Sequence, residues 1–548
     1  MLRFIALSGT TGVTENLYVY ETGNDMMIVD CGVGFPDLEM QGVDLVIPDF
    51  SYIIQNKHKL RGILISQGHE DHMGALPFLL SDVQTQIWTP KLVKLLLVDK
   101  FKDRGTGKVQ INTFDPEGES FNIGPFTINP FKVAHSIPDS MGFAIDTPEG
   151  RIFHVPEHKF DPEPVADKPF DIVKAKKLAE KKVLFLASDC LGANKPGFTP
   201  GEKDIEKNLL PLVQNSKGRV FFTAISSNIA RFQQAINTAK QTGRKVAFVG
   251  RSVQKKSEFA HTLKYLHYSA SEVVSLREAE NLAIDKIMYI IAGCYGQVGS
   301  SLYRLAIDDH RQLQVEKRDT VIFSSDPAPP YTKESIDFIV DNLIEKGVDV
   351  HYYDLREGLY VSGHGSQGDI FKLFEIVNPK YFIPIGGTVR FMHAYRKLAE
   401  NFGAPSENIF ELKPGDSLEF SNGKVKKGAK VQAKEVLVDG LGIGDVGKIV
   451  LQDRKTLGQH GIAIVIIKID RTKKQVVDFP EIISRGFVFE REEKVFLKQS
   501  AKALKAKLDQ FPKKDSKSIK FFTSDFLGKL FFKDTGRKPM VMPVIMEV

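Results

Sequence analysis

The sequence predicts a layered α/β protein: a sandwich of short strands and helices, interrupted by a doubly wound domain and followed by a small α+β unit. Residues 1–204 alternate β-rich runs with Gly/Asp turns and helical patterns, residues 205–357 change to strand-helix-strand units, and strand-then-glycine units return after 358. The 548 residues allow two to four domains, and 42% hydrophobic against 26% charged is ordinary for a globular chain with a sizeable core.

In chain order, Leu17-Tyr18-Val19-Tyr20, Met27-Ile28-Val29 and Arg151-Ile152-Phe153-His154-Val155 have the apolar, β-branched or aromatic content of strands. Thr89-Pro90 opens a helical pattern that runs through Val98. In the second region Arg219-Val220-Phe221-Phe222-Thr223 reads as a strand, Gln233-Gln234-Ala235 lies in a helix, and Lys245-Val246-Ala247-Phe248-Val249 reads as the next strand. Strand ends of such a sheet face a crevice. Tyr381-Phe382-Ile383-Pro384-Ile385 belongs again to the first pattern, so 205–357 reads as an insertion into a domain made of 1–204 and 358–423. The basic stretch that begins Lys424-Val425-Lys426-Lys427 suggests a linker over 424–434, as either a solvated turn or an RNA contact. Residues 435–548 form the last unit, with a polar helix around 500–508 and a closing apolar strand at 540–546.

Cys31, Cys190 and Cys294 are far apart and form no CxxC, which argues against a disulfide framework and a cysteine zinc site and fits a reducing cytoplasm. The first residues are too soon broken by Gly and Thr for a signal peptide, and no apolar run reaches about 18 residues, so no membrane partner is expected. A net charge of +6 permits a polyanionic partner without indicating one.

The chemistry concentrates in Ser66-Gln67-Gly68-His69-Glu70-Asp71-His72, where an apolar strand breaks into a turn bearing two imidazoles and a carboxylate. That clustering points to metal binding. It resembles the metallo-β-lactamase motif His-x-His-x-Asp-His, with Gln67 in place of the first His. Segments 42–50, 134–140, 361–367, 438–447 and 537–548 carry the likeness across the whole chain, which resembles the ribonuclease J family, β-CASP nucleases of the metallo-β-lactamase superfamily. The resemblance implies an αββα sandwich with an inserted β-CASP domain and a C-terminal oligomerisation domain.

It further implies two zinc ions and a substrate of single-stranded RNA. His69 and His135 correspond to ligands of one ion, Asp71 and His72 to ligands of the other, and Glu157 stands where the family has a bridging aspartate. Asp30 corresponds to the aspartate supporting the cluster, His364 to the residue at the scissile phosphate, and Asp189 to its orienting partner. Ser362, Gly363, His364, Gly365 and Ser366 form the expected phosphate-binding loop. The last imidazole of the family pattern is replaced by Gly386 in Pro384-Ile385-Gly386-Gly387, with His393 as a possible substitute. With Gln67, Gly386 and Glu157 altered, weak or lost hydrolysis is expected, with one ion, Mn²⁺ or Mg²⁺, or none. The alternative is an active metal-dependent 5′-3′ exoribonuclease and endoribonuclease using the remaining ligands. The implied partners are further copies, as dimer or tetramer, or an active paralogue.

Overall fold

A computed structural model describes the chain except residues 38, 328–331, 441, 474, 488–492, 513 and 514. The chain forms two compact units, 1–35 with 46–436 and 36–45 with 437–548.

The first unit is built on two facing sheets of eight and six strands. Phe4, Tyr18 and Tyr20 from one and Phe126, Phe143 and Phe185 from the other interleave in a common core. Helices Ile172–Ala179, Gln367–Val377 and Val389–Asn401 cover the far face of the six-stranded sheet, where Phe374, Met392 and Tyr395 are buried. This is the αββα arrangement the sequence suggests.

Strand Val183–Asp189 pairs in parallel with Tyr381–Ile385 in the six-stranded sheet. Between these neighbours the chain leaves to build a separate five-stranded sheet, all parallel, in the order Lys245–Val249, Ile287–Ile291, Val220–Thr223, Thr320–Phe323, Asp349–His351. Its strands are apolar on both faces, as a sheet covered on both sides requires. Two separate cores result, one around Phe221, Tyr289 and Ile339, the other around Phe222, Phe232 and Ile290.

One sequence expectation is corrected. Lys424–Lys427 is no linker: it is an edge strand, antiparallel to Ser417–Ser421 on the eight-stranded sheet. Alternation of Lys with Val425, which packs on the core, suits an edge with one face in water, where lysines also discourage further pairing.

In the second unit Ile462–Ile469 lies between Glu481–Arg485 and Met540–Glu547. Helices Glu493–Asp509 and Ser516–Thr535 bury Leu504, Leu527 and Phe531 against one face of this sheet. Among the described residues, no helix is long and apolar enough to cross a membrane.

Candidate metal centre

Strands Asp25–Val29 and Leu60–Leu64 run in parallel, and the residues just past their ends begin the site. Asp30 sits in the left-handed region at φ 60°, which Asp tolerates better than most side chains. Its buried carboxylate accepts from Ser66 N at 2.8 Å, Ser66 Oγ at 2.7 Å and His72 Nδ1 at 2.8 Å. That last bond fixes the His72 ring with Nε2 turned the other way.

The short helix Glu70–Met73 then sets Asp71 and His72 side by side, with His69 at its N-cap. His72 Nε2 lies 3.1 Å from Glu157 Oε1 and 3.5 Å from Asp71 Oδ2. His135 follows strand Phe126–Lys132; its Nδ1 donates to Gly363 O at 2.8 Å, and its Nε2 lies 2.7 Å from Glu157 Oε2 and 3.3 Å from His69 Nδ1. Glu157 thus turns one oxygen to each pair. Its side chain is long enough to reach both pairs at once.

Two ligand sets follow, His69 with His135 and Glu157, and Asp71 with His72 and Glu157, the ligand atoms of each lying within 4.8 Å of one another. Three protein ligands with an open position are what a catalytic divalent cation takes, and imidazole with carboxylate suits zinc or manganese. The donors therefore fit a cation at either set. The second is the harder one, with a single imidazole.

Electrostatics agree with the geometry. Burial lowers His69 to about 4, which leaves a neutral ring with a free lone pair. Burial opposes charge on Glu157 as well, but His135, His72 and His364 outweigh it and hold the carboxyl well below its ordinary range. At His72, burial is outweighed by Glu157, Asp71 and Asp30, so without a cation the ring is held as imidazolium. Burial is also the main reason Asp71 rises to about 6.

The expected catalytic pair is assembled: His364 Nδ1 lies 2.8 Å from Asp189 Oδ2. Burial works against its charge, yet Asp189 and Glu157 raise His364 to about 9. The loop around it is engaged in holding its own shape. Ser362 Oγ accepts from His364 N at 3.1 Å, and Ser366 caps the helix Gln367–Val377 in a capping box with Asp369. Glycine is required by proximity here: a Cβ on Gly363 would come within 2.7 Å of the His135 ring, and one on Gly365 within 2.6 Å of Asp369 Cβ.

The positions where the sequence departs from the expected motif are equally definite. Gln67 is buried and its Nε2 donates to Glu157 Oε2, while its Oε1 has no partner. Gly386 follows Ile385 at a strand end with φ 67°, and a Cβ there would lie 3.6 Å from Asp189 Oδ1. His393 is not brought to the site: it is 59% exposed and lies 3.9 Å from Glu411.

Asn16 was not found by sequence reasoning. Its Nδ2 lies 3.2 Å from His72 Nε2 and 3.4 Å from Asp71 Oδ2, and its Oδ1 accepts from Tyr18 OH at 2.8 Å. It belongs to a loop preceding a strand, without any motif to single it out.

Comparison with known proteins gives three family-model matches: "Ribonuclease J, beta-CASP domain" over residues 217–343, "Ribonuclease J C-terminal domain" over 449–548 and "Beta-lactamase superfamily domain" over 27–174. Ribonuclease J2 of Bacillus subtilis (strain 168) is 35% identical over 563 residues, covering 100% of this chain and 99% of that protein. Ribonuclease J 1 of Streptococcus pyogenes is 32% identical, covering 99% and 97%. Ribonuclease J 2 of Staphylococcus aureus (strain MRSA252) is 32% identical, covering 100% and 98%. Among solved structures, a protein of unknown function from Enterococcus faecalis V583 aligns with a TM-score of 0.53 at 12% identity, over 76% of this chain and 99% of that one, a likeness of fold alone.

Proposed function

The chain belongs to the ribonuclease J family, and from that premise we propose that it binds single-stranded RNA at the centre described above and hydrolyses it weakly. The observation that carries the weakness is the make-up of the second ligand set. Asp71, His72 and Glu157 offer one imidazole, and Gly386 supplies no side chain where the family pattern has another. At the first set Gln67 spends an N–H on the shared Glu157 instead of offering a ring nitrogen. Loss of groups that merely support a ligand costs about 10–100-fold in metal affinity or activity, and loss of ligands should cost at least as much.

Cations held by these sets would supply positive charge to a phosphate under attack. The chain's own residues would do the rest. Asp30 orients His72, and Glu157 neutralises the imidazoles facing it. Asp189 keeps His364 protonated at neutral pH, so that it can pair with a phosphate oxygen or donate a proton to the leaving oxygen. The loop 362–366 carries that imidazole to the RNA.

The three ligand atoms kept in each set, with the His364–Asp189 pair, favour a second reading: an active 5′-3′ exoribonuclease and endoribonuclease. We place the protein in RNA processing or decay in the cytoplasm, assembled through 435–548 as a dimer or tetramer or with an active paralogue. Mass-spectrometric metal analysis, RNA binding and decay of a 5′-monophosphorylated RNA test the reading together. Binding with slow or no turnover is expected. Near two equivalents of metal with rapid Mn²⁺- or Zn²⁺-dependent shortening would overturn it in favour of the active enzyme.

A further inference from the structure

Asn16 is buried against the second ligand set, and no step of the proposed reaction uses it. Its backbone is tied on both sides: its N–H donates to Asp71 O at 2.9 Å, and its carbonyl accepts from Gly32 N at 3.0 Å. Gly32 permits that approach, since a Cβ there would overlap the Asp71 carbonyl. The side chain is therefore delivered to one place. One end of its amide lies 3.2 Å from His72 Nε2 and 3.4 Å from Asp71 Oδ2. His72 Nε2 is in turn 3.5 Å from Asp71 Oδ2 and 3.1 Å from Glu157 Oε1. Ligands held at about 2.0–2.1 Å around a tetrahedral ion stand about 3.3 Å apart, so all four distances are those of donors to one cation.

The far end of the amide indicates which atom belongs inside. As the amide stands, Nδ2 faces the set and donates to Asp71 O at 3.1 Å, and Oδ1 lies 2.8 Å from Tyr18 OH. That hydroxyl is also 2.9 Å from Gly9 O, so its single proton is claimed by two acceptors. A half turn of the amide ends the competition: Nδ2 then donates to the Tyr18 oxygen, Tyr18 donates to Gly9 O, and Oδ1 faces His72 and Asp71. The terminal torsion of Asn is broad, and Asp71 O keeps the backbone bond from Asn16 N after the turn. The remaining obstacle is the closeness of two oxygens, Asn16 Oδ1 and Asp71 O, which positive charge among the donors offsets. Gly9 O also accepts from Gly386 N at 2.8 Å and so links Asn16, through Tyr18, to the position that brings the set no side chain.

We propose that Asn16 turns its amide oxygen to the set Asp71, His72 and Glu157 when a divalent cation is bound there, and serves as the fourth protein donor. The inference rests on the reading that this set binds a cation, and deepens it by naming a further ligand. With Asn16 the set offers three oxygens and one nitrogen, which suits a hard divalent ion, manganese or magnesium, better than the two imidazoles of the first set do.

Competition for manganese between a chelating dye and the metal-stripped full-length protein tests it. Asn16→Leu should weaken manganese binding at least about tenfold. Asn16→Asp keeps an oxygen facing the set and should bind within about threefold of wild type or tighter. A role as N–H donor to Asp71 would be lost in both variants, so the rescue by aspartate separates a ligand from a structural group. In an Asp71→Ala background the set is already broken, and Asn16→Leu should add less than about threefold. A crystal structure of the manganese-loaded wild type, which depends on no variant folding, should place Asn16 Oδ1 within about 2.6 Å of the ion. An amide beyond that distance, a wild type that takes up no manganese, Asn16→Leu binding like wild type, or Asn16→Asp as weak as Asn16→Leu would each overturn the inference and leave weak hydrolysis standing. Rapid RNA shortening by the wild type would overturn weak hydrolysis and leave the Asn16 contact standing.

Discussion

Adding an imidazole at Gly386 is the sharpest test of the weak-hydrolysis proposal. In Gly386→His a side chain enters at φ 67°, where a non-glycine residue costs about 1–2 kcal/mol. The Cβ itself meets no clash: the nearest atoms to it are Asp189 Oδ1 at 3.6 Å and Pro156 O at 3.8 Å, ordinary contact distances. The melting temperature should therefore fall by only about 2–4 °C. Against that, a second ring added to Asp71, His72 and Glu157 should raise zinc and manganese affinity by about 10–100-fold, as judged from the penalties for disturbing metal sites. Gln67→His repeats the experiment at the other set, removing the amide bond to Glu157 at nearly constant side-chain volume. Affinity is read by competition with a chelating dye, and turnover by decay of a 5′-monophosphorylated RNA. The double variant should bind two ions and hydrolyse at least tenfold faster than wild type. Unchanged affinity in a folded double variant, or a wild type already holding two tight ions, would refute the reasoning.

Other outcomes follow from the same contacts. Asp30→Ala strips the acceptor from Ser66 N, Ser66 Oγ and His72 Nδ1 in a fully buried setting and should cost about 3–5 kcal/mol in denaturant unfolding of the metal-free protein; a loss under 1 kcal/mol would mean that the network is not sharing the load. Because His72 is held protonated without a cation, metal binding must release its proton, so zinc affinity should rise about tenfold per pH unit while it titrates; a flat response between about pH 6.5 and 8.5 by calorimetry would contradict this. His364 has a folded value of about 9 against an ordinary 6.5, so its contribution to stability is full below about 6.5 and is lost as pH rises through about 9. In the metal-free protein His364→Gln should remove up to about 3 kcal/mol of that pH-dependent stability, and an unaltered pH profile of unfolding would disprove the pairing with Asp189.

Much of this was legible in the sequence because the governing patterns are local. Asp71 and His72 share one turn of helix, Asp30 ends an apolar run, and strand periodicity separates the sandwich from the doubly wound insertion. The unread parts are long-range. Nothing near Gln67 announces that its amide meets Glu157, 90 residues away, and Asn16 reaches His72 across 56. Lys424–Lys427 looked like a connector because its lysines dominate the composition, whereas its single inward Val425 and the antiparallel partner Ser417–Ser421 decide its state. Edge strands exposed on one side carry half the hydrophobic signal of central ones.

His364 and Asp189 lie 175 residues apart, and nearly all of that separation is the excursion into the five-stranded sheet. Strands Val183–Asp189 and Tyr381–Ile385 must still become neighbours, a closure that a disordered excursion would oppose entropically and a folded one eases by delivering its two ends together. During synthesis the inserted body emerges before the strand that seals the sandwich, so it is free to fold first. The hydrogen bond between His364 and Asp189 joins groups on either side of that excursion, so it cannot form until the chain has been made past residue 364.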